Sequence, residues 1–167
     1  MIYLFKSTAK LLILFQLLGI YSCSINKKVI MNSTENHALR LKPGEDLRQS
    51  IQEYVNLNHI QAGWMVTCSG SLTDYHIRLA NQAVGSKRSG HFEIVSLSGT
   101  VSENGSHLHI SVSDSTGQTI GGHLLEGCKI YTTAEIVLQS DSSLIFKREK
   151  DGTTPWEELQ IEKRNRY

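Results

Sequence analysis

Several features that would mark a special class of protein are scarce or missing here. The 167 residues include three cysteines, none in a CxxC arrangement, which leaves no metal or redox motif of that kind. There is no basic excess. The formal charge is +1, and Lys6 and Lys10 are the only charges before Cys23. Setting those two aside leaves 15 basic against 16 acidic residues, which removes the electrostatic footprint of a nucleic-acid binder. No apolar run reaches the roughly 20 residues that span a bilayer. No GxSxG elbow, phosphate-binding glycine loop or paired glycosidase carboxylates stand out. Internal repeats are also missing. What remains is an ordinary globular mix of 40% hydrophobic and 20% charged residues. That length suits one domain able to bury a core without staples, plus short extensions.

Residues 1–23 read as an export signal. Lys6 and Lys10 form a short basic region, Leu11 to Ile20 is almost purely apolar, and Ser22 and Cys23 follow. That is the three-part order of a secretory signal. The stretch Ile20-Tyr21-Ser22-Cys23 resembles a bacterial lipoprotein cleavage box, although Tyr21 stands where a small residue is usual. It predicts lipidation at Cys23, membrane attachment through the lipid and a cell-envelope location, with Ser24 favouring an outer membrane. An ordinary secreted form and an uncleaved anchor are the alternatives. Residues 24–37 are polar and basic and read as a tether, with a domain over residues 38–167.

Within the domain, Leu39 to Leu41 alternates like a strand that Pro43-Gly44 ends. Asp46 is placed as an N-cap, and Leu47, Ile51, Tyr54 and Val55 follow at helical spacing. The rest reads as strands: Ala62 to Ser69, a turn at Gly70-Ser71, Thr73 to Ala80, a loop from Asn81 to Gly90, then Phe92 to Val101. Asn104-Gly105 predicts a type I′ hairpin turn, with positive φ at both positions. Ser106 to Ser113, a turn at Asp114 to Gln118, Gly127 to Leu138 and Ser143 to Lys147 complete the series. One helix among many strands implies an α+β or mixed-sheet domain. Cys68 and Cys128 lie in strand-like apolar context. They are placed as separate core thiols, with pairing the alternative in an oxidising compartment.

The most informative pattern is Ser106 to Ser113. His107, His109, Ser111 and Ser113 share one strand face, and Leu108, Ile110 and Val112 share the other. Two imidazoles at i, i+2 can converge on one ion. A third, His123, follows Gly121-Gly122, whose conformational freedom lets the chain turn back. Three neutral imidazoles with an open position suit Zn²⁺ or another divalent metal. Glu126 and Asp114 are candidate partners for the ring N–H groups, and Glu126 is the candidate general base. The plain alternative is a set of ordinary exposed histidines. His37, His59 and His76 read as structural or surface residues, and His91 stays outside the ligand set. Arg78, Lys87 and Arg88 read as solvated surface around one loop.

The segments FEIVSLSGT, HLHISVSD and GGHLLEG, in that order between Phe92 and Gly127, resemble the plants-and-prokaryotes-conserved (PPC or PCC) domain. Similarity continues upstream through LRLKPGEDLRQSIQEYV and AGWMVTCSGSLTDYHIRL. The resemblance implies an α/β (α+β) domain with a mixed, largely antiparallel sheet, one main amphipathic helix and a homotrimeric assembly. Prokaryotic members with HxH and GGH, here His107, His109 and His123, are associated with a bound metal, usually zinc. Plant members tend to lack these histidines. They carry an Arg-Gly-Arg-Pro hook for DNA that this sequence lacks, so specific nucleic-acid binding is not expected. The functional expectation is an exported, trimeric metal-site module that binds a small anionic ligand or a protein partner. A metal-dependent hydrolase or lyase is the alternative, and the DNA-binding role that the family label suggests is a second one.

Overall fold

A computed structural model describes residues 33–164. The signal-like stretch, Cys23 and most of the tether lie outside the described residues. The elements are β1 (Thr34–Leu41), α1 (Leu47–Leu57), β2 (Gly63–Arg78), β3 (Ser86–Ser102), β4 (Gly105–Ser113), β5 (Thr119–Leu124), β6 (Lys129–Asp141), β7 (Leu144–Glu149) and β8 (Glu158–Lys163). β1 begins inside the stretch read as tether. It does so because residues 34–37 pair in register with residues 138–141 of β6.

Six strands form one antiparallel sheet in the order β1-β6-β2-β3-β4-β5, and β7 and β8 form a separate hairpin. A mixed α/β domain with one helix and a largely antiparallel sheet is therefore what the chain builds. No helix among the described residues is long and apolar enough to cross a membrane. Helix α1 starts where the sequence places it. The Asp46 carboxylate accepts from the backbone N–H of Arg48 and Gln49 and, with its other oxygen, from Gly127 N at 2.7 Å. The cap thus ties the helix to the β5–β6 connection as well as satisfying its first turn. Leu47, Ile51 and Val55 are fully buried and join Leu72, Ile77, Leu108, Ile110, Leu124, Ile136 and Leu138 in one core. Cys68 and Cys128 are free and buried within it. Burial pushes their thiols up to about 12 and about 11, so neither is a ready nucleophile.

Four local expectations are corrected. Gly70 does not turn the chain: residues 63–78 form one continuous strand, with register shifts against β6 on either side of Gly70. A Cβ at Gly70 would stand 2.1 Å from the Thr133 carbonyl oxygen, so glycine allows a bulge pressed against β6. The loop at residues 81–90 is shorter than expected, because β3 already begins at Ser86 and pairs with Ile77. At the β3–β4 hairpin, Ser102 faces Gly105. The turn positions are therefore Glu103 and Asn104, and positive φ falls on Gly105, not on Asn104. Strand β8 was not anticipated, because its alternation is obscured by charged residues on a half-exposed hairpin.

Candidate metal centre

Strand β4 behaves as its alternation requires. Leu108, Ile110 and Val112 are buried, and His107 and His109 point to the other face. The turn at residues 114–118 returns the chain as β5, in a register that sets His123 directly opposite His109. The reason for Gly121-Gly122 differs from the expected one. Neither has positive φ. Both lie within β5, where Gly122 is squeezed between β4 and the end of β2, and a Cβ there would meet the Arg78 carbonyl oxygen at 2.4 Å. Glycine here permits β2 and β5 to pair through Ile77–Leu124 and Arg78–His123. That pairing bends β5 back onto β2 and fixes His123. Gly122→Ala should therefore part β5 from β2 and cost about 2 kcal/mol of stability, as overpacking does. A denaturation midpoint unchanged from wild type would show that the contact is not needed.

The three rings converge. His107 Nε2 lies 3.2 Å from His123 Nδ1 and 3.2 Å from His109 Nε2. Among the described residues, His107, His109 and His123 are the one group of three or more His, Cys, Asp or Glu side chains whose ligand atoms cluster for a metal. Zn–N bonds of 2.0–2.1 Å at tetrahedral angles put neighbouring donors about 3.3 Å apart. The two spacings from His107 match tetrahedral edges, and all three ligand atoms lie within 4.8 Å of one another. The donor set fits as well, being three imidazoles, the nitrogen ligands a zinc site commonly uses. The His107 imidazole is held below its usual range first by burial and then by the Arg148 guanidinium, with smaller effects from His109 and Arg78. His123 is lowered by burial, then by Arg78 and the other two rings. Both therefore favour the neutral form that coordinates.

The site opens into a cavity of about 930 Å³ whose wall includes His107, His123, Arg48, Arg78, Arg148 and Trp156. Arg148 Nη2 lies 3.4 Å from His107 Nδ1 and donates to the Glu157 carbonyl oxygen at 2.7 Å. With His107 Nε2 on a metal, Nδ1 must carry the ring proton. Arg148 would then have no acceptor on that ring and would keep its bond to the Glu157 carbonyl oxygen. Arg48 donates to the Leu124 carbonyl oxygen at 2.7 Å, and the Arg78 guanidinium stacks 5.7 Å from the centre of the Trp156 ring. Among the described residues, no carboxylate forms an ion pair with any of these three arginines.

The proposed auxiliary residues lie elsewhere within this chain. The Glu126 carboxylate accepts from Gln49 Nε2, and its carbonyl oxygen engages His76 Nδ1 at 2.7 Å. Asp114 caps its own turn through Thr116 and Gln118, which holds its carboxyl below the usual range. Neither is hydrogen-bonded to the three rings. Glu158, which the sequence did not single out, lies on the cavity wall and is the carboxylate that acts on His107. His91 packs against Tyr131, and His37 is buried between Tyr54 and Ser140. His59 sits beside Glu103.

Residues 30–142 match the model of the Plants and Prokaryotes Conserved (PCC) domain. The chain belongs to the PCC domain family. The structure of a hypothetical protein from Salmonella enterica is 37% identical, with a TM-score of 0.78 over 81% of this chain and 98% of that one. A metal-containing protein from Archaeoglobus fulgidus is 25% identical, with a TM-score of 0.65 over 75% of this chain and 93% of that one. The bifunctional protein GlmU of Synechococcus sp. strain JA-3-3Ab is 44% identical over 76% of this chain. This chain spans only 20% of that protein's length, so the similarity concerns one segment of it.

Proposed function

We propose that this PCC-domain chain is a metal-holding binding module that takes a small oxyanion. Zn²⁺ is the ion that three imidazoles with a free fourth position suit best. The observation that carries the reading is the meeting of two features. A tetrahedral corner of three histidines opens into a cavity lined by Arg48, Arg78 and Arg148, none of them ion-paired with a carboxylate among the described residues. A bound cation with an open position and nearby guanidinium groups together favour a carboxylate or phosphate. Calorimetric titration of inorganic phosphate or acetate into zinc-loaded protein should show binding that chelation abolishes. Equal binding by chelated protein, or none by loaded protein, overturns the reading.

Two alternatives are weaker. A zinc hydrolase needs a base beside the water it activates. Glu126 is engaged by Gln49, which leaves Glu157 and Glu158 as the acidic residues on the cavity wall, Glu158 being the one that acts on His107. Specific DNA binding has no basic excess to support it.

The same proposal places the protein in the cell envelope as a homotrimer. The basic, apolar and cysteine order of residues 1–23 supports export with lipid attachment at Cys23. The family resemblance supports the trimer, and a closed ring would cover exposed Val66, Val95 and Tyr131 on the sheet. Cys23→Ser should shift the full chain out of the membrane fraction, and light scattering of the soluble domain should give three times the monomer mass. Unchanged fractionation, or a clean monomer at micromolar concentration, would count against the respective half.

A further inference from the structure

We infer that the β7–β8 hairpin makes this cavity selective for an organic oxyanion with a flat, uncharged body. The oxyanion lies at the histidine cluster between Arg78 and Arg148, and the body lies against Trp156. The inference rests on the anion reading above and names the kind of anion.

Size comes first. A cavity of about 930 Å³ is in the range of pockets that enclose small organic molecules, roughly 300–1,000 Å³. A lone phosphate or acetate leaves most of it to water. The wall also includes Asn81, Gln82 and Ala83 of the β2–β3 loop and Trp156 of the β7–β8 loop. Trp156 is 64% exposed, with the Arg78 guanidinium stacked 5.7 Å from its ring centre. An exposed indole that carries a guanidinium over one face leaves the rest of its ring as a surface on which a flat apolar ligand gains by stacking.

The hairpin is anchored well enough to hold that surface. Phe146 N donates to the Gln61 carbonyl oxygen at 2.9 Å, Asn104 Nδ2 donates to the Phe146 carbonyl oxygen at 3.1 Å, and Arg148 secures the Glu157 carbonyl. Charge sets the rest of the specificity. The three arginines and the metal gather positive charge near His107 and His123. Glu157 and Glu158 also line the wall, with Glu158 close enough to act on His107, and together they oppose a second anionic group in the cavity. The ligand class that fits has one anionic end and a neutral flat end. The family match stops at residue 142, so Arg148, Trp156, Glu157 and Glu158 lie beyond the matched segment. They belong to an element that can set specificity without altering the metal-binding strands.

Calorimetry on zinc-loaded protein tests this with two probe pairs, phenyl phosphate against inorganic phosphate and benzoate against acetate. The aromatic member of at least one pair should bind about tenfold more tightly. Trp156→Ala should remove that gain, read as the ratio of aromatic to plain affinity within the variant, and Trp156→Phe should restore most of it. If phosphate or acetate binds but neither aromatic probe gains, or if Trp156→Ala keeps the gain, the inference falls and the anion reading stands. If none of the four binds, both fall.

Discussion

His109→Ala is expected to purify with little or no metal, whereas His76→Ala matches the wild type. The three donor atoms lie within 4.8 Å of one another, and His107 stands 3.2 Å from each of the other two, close to the edge of a tetrahedral zinc site. Removing His109 leaves two imidazoles, and two neutral ligands hold a divalent ion poorly at micromolar concentrations. Loss of a group that merely orients a ligand costs roughly 10–100-fold in affinity, so loss of a ligand itself should exceed about 100-fold. His76 is the matched control. It sits on β2, and its Nδ1 is engaged by the Glu126 carbonyl oxygen. The fold should survive His109→Ala, because the side chain is exposed and lies outside the core. Exposed substitutions of this kind usually stay within about 0.5 kcal/mol. Elemental analysis after growth in zinc-replete medium decides the matter. Equal occupancy in wild type and His109→Ala, with both proteins folded by circular dichroism, would rule out the site.

That site was half legible in the sequence, and the limit is physical. Strand alternation puts His107 and His109 on one face with no knowledge of tertiary structure, because successive residues of a strand must point to opposite sides. The short turn at residues 114–118 also makes a return alongside β4 predictable. What the sequence hides is why Gly121 and Gly122 are there. Their pattern is read naturally as a turn, but at Gly122 the requirement comes from the Arg78 carbonyl oxygen on a distant strand, and at Gly121 from Ser111 and Ile110 of β4. Only the pairing of β5 with β2 on one side and β4 on the other reveals both. The arginines were hidden for the same reason. Arg48 is on the helix, Arg78 at the end of β2 and Arg148 on the terminal hairpin. No local signal links three residues 30 or more positions apart, and Arg78 in isolation reads as solvated surface. The helix, by contrast, was fully legible. Its apolar spacing and its Asp46 cap are both local, and local patterns are the ones a sequence displays directly.

Acid should strip the metal, and the onset should lie below pH 6.5. The coordinating species is the neutral imidazole, so protons compete directly with the ion. A free imidazole titrates near 6.5. In this site burial lowers His107 and His123 below that value, and Arg148 and Arg78 lower them further. A lowered pKa means that the neutral form persists to more acid conditions, and a bound ion extends it again. Metal content should therefore be flat from about pH 8 to 6.5 and fall steeply below, because three ligands protonate together. Stability follows with a definite sign. The folded rings bind protons more weakly than the unfolded ones, so the unfolded state takes up more protons as pH falls. The stability these rings contribute is fully present above about 6.5 and is lost as pH drops through their lowered folded values. The metal adds to this, since an ion that binds only the native state stabilises it by RT ln(1 + c/Kd), where c is the free ion concentration, and raises the melting temperature accordingly. Melting curves of zinc-loaded and chelated protein should thus be well separated at pH 7.5 and merge in acid. In His109→Ala the two curves should coincide at every pH. Zinc retained in full at pH 4.5, or lost already above pH 7.5, would contradict three-imidazole coordination. So would a separation between the curves that persists unchanged into acid.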